Sequence, residues 1–224
     1  MNTTAFSSSL TRYAELLVGA GGVNLRRGQH LLLTGDAEHG TLLDLIGQAA
    51  HARGAASVDC QIRLPMTDAA LIRSGDDVAL RSHFNGMAAR RQRILELGGA
   101  ALSIRGREPV VIEQAGRAFP VRFGQYRDAG LSAVQLFRDV GINAGRCPWA
   151  IGAGATRDWA EIVYPGDPEG VSKLWDDIFK FTHLLEPDAE AATQTRVSQL
   201  NRRATLLNKM CLRRVRISGG GNDL

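Results

Sequence analysis

The chain has 224 residues, 44% hydrophobic and 22% charged, with a formal net charge of +4. That length and apolar content support one substantial core, closer to a single large domain than to two small ones. The basic residues are scattered among acids, and the cluster from Arg202-Arg203 through Arg213-Arg214 to Arg216 has no interleaved aromatics, so it reads as a solvated face and excludes a nucleic-acid footprint.

Cys60, Cys147 and Cys211 are too few and too far apart for a disulfide framework or the close pairs of a zinc site, so reduced, buried thiols are expected. Residues Met1 to Leu10 have neither a basic n-region nor an apolar h-region, and no run approaches about eighteen consecutive apolar residues. A cytoplasmic protein with no membrane partner is the expectation.

In chain order, Ser8 or Ser9 can cap a helix whose apolar residues Leu10, Tyr13, Ala14, Leu17 and Val18 recur at helical spacing and which stops at Gly21-Gly22. His30 to Thr34 is an apolar run between glycines, the pattern of a strand buried on both faces, and Leu42, Leu43, Leu45, Ile46, Ala49 and Ala50 then mark a helix ending at Gly54. Ser57 to Ile62 alternates as a second strand, ended by Pro65. Strand, helix, strand with short joints predicts a βαβ unit and a parallel sheet. A long helix is predicted over residues 76–97, a third strand over Ala100 to Ile104, and a broken helix between Pro109 and Gly145, where Val110 to Ile112 could instead extend a strand. A fourth strand is predicted over Cys147 to Ile151, a short helix from Thr156 or Asp158 to Tyr164-Pro165, a helix with Val171, Leu174, Trp175, Ile178 and Phe179 on one face, and another from Pro187 to Met210. Leu212 to Ser218 reads as a last strand entering Gly219-Gly220-Gly221.

Three groups invite a chemical reading. Gly152-Ala153-Gly154-Ala155-Thr156 follows a strand and opens a helix, the setting of a phosphate-binding turn, but it lacks a third glycine and a properly spaced acid, so a nucleotide-binding Rossmann-like domain is the weaker alternative. Asp36, Glu38 and His39 share one loop after the first strand, where two carboxylates and an imidazole could hold a divalent ion; capping of the following helix is the favoured reading. Glu161, Asp167, Asp176 and Asp177 lie around Trp159 and Trp175, with Asp176 and Asp177 expected to solvate the outer side of a helix and Trp149, Trp159 and Trp175 expected in packing. There is no H-E-x-x-H, no G-x-S-x-G, and no cysteine in an activating context. No catalytic or metal-binding residue is therefore assigned, and substrate-binding residues are left unassigned.

Tyr13-Ala14-Glu15-Leu16-Leu17-Val18, Gly22-Val23-Asn24-Leu25, Cys147-Pro148-Trp149, Trp159-Ala160, Tyr164-Pro165, Leu174 to Phe179 and Gly221-Asn222-Asp223-Leu224 occur in an order that resembles the amino-terminal half of the AmpS/PepS-type metalloaminopeptidases, metallopeptidase family twenty-nine. The resemblance spans the whole chain. It departs at Gly154-Ala155-Thr156, where the family commonly has Ala-x-Pro-Thr, and at Asn222, where the family usually has threonine. What the resemblance implies is an α/β fold: a mainly parallel sheet of four to five strands with helices on both faces. Residues 1–218 would form the amino-terminal domain and residues 219–224 the start of a carboxy-terminal catalytic domain.

The implied activity is removal of amino-terminal residues from peptides. Two divalent ions of zinc, cobalt or magnesium type would lower the pKa of a bridging water and polarise the scissile carbonyl. Their carboxylate and histidine ligands would lie beyond this chain, so no cofactor is expected in it and the chain alone is expected to be inactive. A peptide substrate and a homodimer are the implied partners. A stand-alone interaction or dimerisation module without catalysis is the alternative.

Overall fold

The structure, a computed structural model, describes residues 3–216, 218–219 and 222–223. Helix α1 (Thr3–Val18) starts ahead of the expected serine cap and buries Leu10, Tyr13, Ala14, Leu17 and Val18. Its end is tight: a Cβ on Gly22 would stand 1.9 Å from the Leu17 carbonyl oxygen, so only glycine fits there. Then follow β1 (His30–Asp36), α2 (Gly40–Ala52), β2 (Ser57–Arg63), α3 (Pro65–Ser74), α4 (Asp77–Glu96) and β3 (Ala100–Arg105). Helix α3 is an element the sequence pattern hid: Pro65 does end the strand, but it also occupies the first turn of a helix, where its missing N–H costs nothing.

The broken helix resolves into α5 (Val110–Ala118), α6 (Pro120–Leu136) and a π-helical stretch over Phe137–Asn143. Strand β4 (Trp149–Ala153) begins two residues later than predicted. Pro148 has no N–H to enter the ladder; its carbonyl accepts from Ala101 N at 2.9 Å, and pairing proper starts at Trp149. Helices α7 (Arg157–Val163), α8 (Gly170–Phe181) and α9 (Ala189–Lys209) complete the layers. The predicted strand over Leu212 to Ser218 does not form across residues 212–216, and residue 217 is outside the described residues. Instead β5 (Ser218–Gly219) pairs antiparallel with β6 (Asn222–Asp223).

The main sheet is four-stranded and wholly parallel, in the order β2-β1-β3-β4. Strand order reverses on either side of β1, so the C-terminal ends of β1 and β3 flank a switch point, the usual ligand position in open α/β sheets. Register places Leu31, Leu33 and Gly35 of β1 on the same face as Ala100, Leu102 and Ile104 of β3. That face is covered by α1, α2 and α8 in one continuous apolar cluster. The opposite face carries α4 and the π-helical stretch, where Leu32 meets Ile94, Phe137 and Cys147. A satellite cluster of Ala69, Ile72, Ile112 and Ala115 joins α3 to α5.

The tryptophans divide. Trp175 is 8% exposed and packs with Tyr13, Phe6 and Phe179, and Trp159 is partly buried against the same cluster. Trp149 departs from the packing expectation: it is 48% exposed on the outermost strand. The cysteines divide as well, with Cys147 buried and Cys60 and Cys211 exposed, against the expectation of burial. Tyr13 also closes the open edge of the sheet, because its hydroxyl accepts from Ala153 N at 3.0 Å and donates to Ala153 O at 3.1 Å. Burial pushes this phenol up to about 12.

Candidate functional site

The loop after β1 is held closed by its own side chains. Arg63, the cross-strand neighbour of Asp36, grips that carboxylate bidentately, with Nε to Oδ1 at 2.6 Å and Nη2 to Oδ2 at 3.1 Å, and reaches Glu108 at 3.1 Å. Burial alone would lower the pKa of Arg63, but the Asp36 contact and the nearby charge of Glu108 hold it above the ordinary guanidinium value. Glu38 Oε1 accepts from Arg157 N at 2.9 Å, tying the loop to the first residue of α7.

His39 is 2% exposed, and both of its ring nitrogens are engaged. Nδ1 accepts from Asp36 N at 3.2 Å, which leaves the proton on Nε2, 3.3 Å from Gly154 O. Burial holds the imidazole below its usual pKa despite the pull of Asp36, and a neutral ring is what these two contacts require. Asp36 and His39 form the capping box of a short 3-10 turn over Ala37–His39 that leads into α2; α2 itself starts without a side-chain cap and Glu38 goes to α7, so the expected capping of the helix at Gly40 is transferred to its neighbours. A divalent ion does not fit this loop: Asp36 has both oxygens on Arg63, Glu38 is taken by Arg157, and neither nitrogen of His39 offers an open lone pair. Among the described residues no group of three or more His, Cys, Asp or Glu side chains comes together to hold a metal.

The glycine-rich turn serves the same joint. A Cβ on Gly154 would lie 2.5 Å from His39 Cδ2, and one on Gly152 would lie 2.9 Å from both Leu17 Cδ2 and Ile104 Cδ1. These glycines admit close packing of a histidine and a helix, which accounts for them without a phosphate. Thr156 caps α7, its Oγ1 accepting from Trp159 N.

Of the remaining acids, Asp176 is exposed and the other three are committed. Glu161 accepts from Gly166 N, Asp167 pairs with Lys173, and Asp177 takes the hydroxyl of Tyr164. Asp177 is thus half-buried and bonded, in contrast to the solvated position expected for it.

Two concavities open at the C-terminal edge of the sheet. A cleft of about 670 Å³ runs between α1, the Glu38-His39 loop, α7 and α8, over Phe6 and Trp175. On the other face a cavity of about 270 Å³ lies beneath α4 and spans the switch point, floored by Thr34, Asp36, Gln61, Arg63 and Arg105. There Tyr126 donates to Asp68 Oδ2 at 3.0 Å, and His83 stands 3.8 Å from Asp68 Oδ1. Burial raises the pKa of Asp68 against the opposing effect of the Tyr126 hydrogen bond.

The sequence reading missed this second group. A signal was present: β2 reads Asp59-x-Gln61-x-Arg63 and β3 ends Ser103-x-Arg105, placing polar residues at alternate positions on one face near the C-terminal ends of the strands. Phe84, Met87 and Arg91 share one helical face above it.

Comparison with known proteins gives a consistent result. The family described as thermophilic metalloprotease (M29) matches residues 6–224. The chain is 26% identical to aminopeptidase PepS of Streptococcus thermophilus, with 98% of this chain aligned to 52% of that protein. It is 29% identical to aminopeptidase T of Thermus thermophilus, with 98% aligned to 53%. The solved structure of wild-type AmpT from Thermus thermophilus superposes with a TM-score of 0.63 at 26% identity, covering 89% of this chain and 50% of that one. The chain therefore spans about half the length of the relatives it matches. Since the match runs through α1 to the last described residues, the chain belongs to the M29 family of thermophilic metalloproteases.

Proposed function

We propose that the chain is the amino-terminal part of a metal-dependent aminopeptidase, with residues 1–218 acting as a scaffold domain without catalytic groups and residues 219–224 leading into the part that holds the metal ions. The observation that carries this reading is the alignment of nearly the whole chain to about half of proteins named as aminopeptidases.

The fold supports a scaffold role. The motifs behind the family resemblance converge on packing: Tyr13 meets Trp175 and Phe179 with ring centroids 6.3 and 5.9 Å apart, and Tyr164 bonds Asp177. The acids and histidine of the Asp36–His39 loop spend their lone pairs on Arg63 and on main-chain N–H groups of Asp36 and Arg157. Peptides as substrate, divalent ions of zinc, cobalt or magnesium type and a cytoplasmic setting belong to the same proposal. So does a homodimer, which the exposed Val197, Leu200, Leu206 and Leu207 of α9 favour. No helix of the described residues is long and apolar enough to cross a membrane.

The test is an assay of the purified 224-residue chain on leucine p-nitroanilide with added zinc, cobalt or magnesium, beside translation of the DNA that follows the Leu224 codon. No release of nitroaniline is expected, together with a downstream reading frame that encodes further carboxylates and histidines. Hydrolysis abolished by Asp36→Asn or Glu38→Gln would overturn the scaffold role. Unrelated downstream sequence would leave the stand-alone module as the better reading.

A further inference from the structure

The cavity beneath α4 contains a cation that the fold does not neutralise. Arg91 is 9% exposed, and among the described residues its guanidinium makes one hydrogen bond, from Nη1 to Met87 O in its own helix at 3.3 Å. No carboxylate pairs with it among the described residues, and most of its donors are unused. Burying such a charge is costly without an anion beside it.

Two further groups share the cavity wall. Arg105, at the C-terminal end of β3, is exposed and forms no ion pair among the described residues. It is close enough that its charge, second to burial, helps to lower the pKa of Arg91. Gln61 Oε1 is buried with no hydrogen-bond partner among the described residues. Beside these lies an apolar wall of Phe84 and Met87.

We infer that this cavity binds a small organic carboxylate with an apolar body, its carboxylate held between Arg91 and Arg105, its body against Phe84 and Met87, and its own hydrogen-bond donor on Gln61. A planar monoanion suits the guanidinium fork. Phosphate suits the site poorly: Asp36 and Asp68 also line the cavity and would repel a dianion, and no glycine-rich loop supplies main-chain donors there. The volume of about 270 Å³ limits the ligand to a small molecule. The cavity also straddles the point where strand order reverses, the position at which open α/β sheets present ligands. An apolar α-amino acid has every feature named, its ammonium supplying the donor for Gln61.

Titration calorimetry of the 224-residue chain tests this with L-leucine, 4-methylpentanoate, isoamylamine and inorganic phosphate. Leucine is expected to bind. Removal of its amine, in 4-methylpentanoate, should weaken binding about tenfold, and removal of its carboxylate, in isoamylamine, should abolish it. Arg91→Met and the surface change Arg105→Met should each weaken leucine at least tenfold; the second leaves the core untouched and so reports on the site even if the first perturbs folding. Arg91→Lys, which keeps charge but not the fork, should fall between wild type and Arg91→Met. The inference is overturned if neither acid binds, if both arginine variants bind leucine as wild type does, or if phosphate binds in preference to both acids. Equal binding of leucine and 4-methylpentanoate would remove Gln61 from the site. The inference rests on the cavity alone: binding without hydrolysis, or hydrolysis without binding, separates it from the peptidase reading.

Discussion

The two faces of the central sheet are built from alternate residues of the same strands, yet one is sealed and the other is half open. On the sealed face Leu31, Leu33, Ala100, Leu102 and Ile104 are all nearly or wholly buried under α1, α2 and α8. On the other face the first half is apolar, with Leu32 against Ile94, and the second half turns polar at Thr34, Gln61, Ser103 and Arg105. The difference teaches that a parallel strand buried on both sides need not be apolar on both sides along its whole length. Where hydroxyls, amides and guanidinia line one face near the C-terminal ends, the covering helix leaves a cavity instead of a core.

The largest expected effects lie on the sealed side. Trp175→Ala should cost about 3–5 kcal/mol and Leu102→Ala about 2–5 kcal/mol in urea unfolding, from lost burial and the void left behind. Losses below about 1 kcal/mol in both would mean that this face is not the closed core described here. Next comes the joint between the loop after β1 and β4. Gly154→Ala drives a methyl into His39 and Ile104, at 2.5 and 2.8 Å, and should cost about 1–3 kcal/mol. A wild-type melting temperature in that variant would show the histidine to be loosely seated.

The pH dependence of stability isolates the same histidine. The folded chain holds His39 below its unfolded pKa of about 6.5, so the unfolded state binds the extra proton first. Its contribution is complete above about pH 6.5 and is lost as pH falls through the folded value, with a slope of at most about 1.4 kcal/mol per pH unit. His39→Gln should flatten this part of the stability curve, as read by thermal melts from pH 7.5 to 5. An identical curve for variant and wild type would contradict the buried neutral imidazole.

The smallest effects belong to the open side. Trp149→Ala should change stability by no more than about 0.5 kcal/mol, as expected of a half-exposed residue. Arg91→Met should leave stability unchanged or raise it by about 1 kcal/mol, since it removes an unpaired buried charge while keeping much of the side-chain volume. A marked destabilisation by Arg91→Met would indicate that the guanidinium is satisfied within the protein.

Much of the fold was legible in the sequence because periodicity reports burial. The helical spacing from Leu10 to Val18, the apolar run at Leu31 to Leu33 and the face from Leu174 to Phe179 all translate into packed surfaces. What stayed hidden depends on tertiary choices. Trp149 is large and apolar, but only the assembled layers show that its place on the edge strand leaves it half exposed. Asp36, Glu38 and His39 look like loose ligands in a string of letters; their partners Arg63, Arg157 and Gly154 are distant in sequence, so nothing local reveals that they are occupied. The reverse holds beneath α4, where Arg91 sits in an unremarkable run of basic residues and only folding removes it from water.

The hydroxyl of Tyr13 has a consequence for how the sheet meets its surroundings. A residue on an outermost strand turns its N–H and C=O toward solvent together, offering a template on which another extended chain can nucleate. At Ala153 both groups are occupied by one phenol, which acts as a single-atom substitute for a neighbouring strand. Sheet growth at this end of β4 is blocked by a side chain from the first helix, so the same tyrosine that anchors the core also guards the molecule against intermolecular β-pairing.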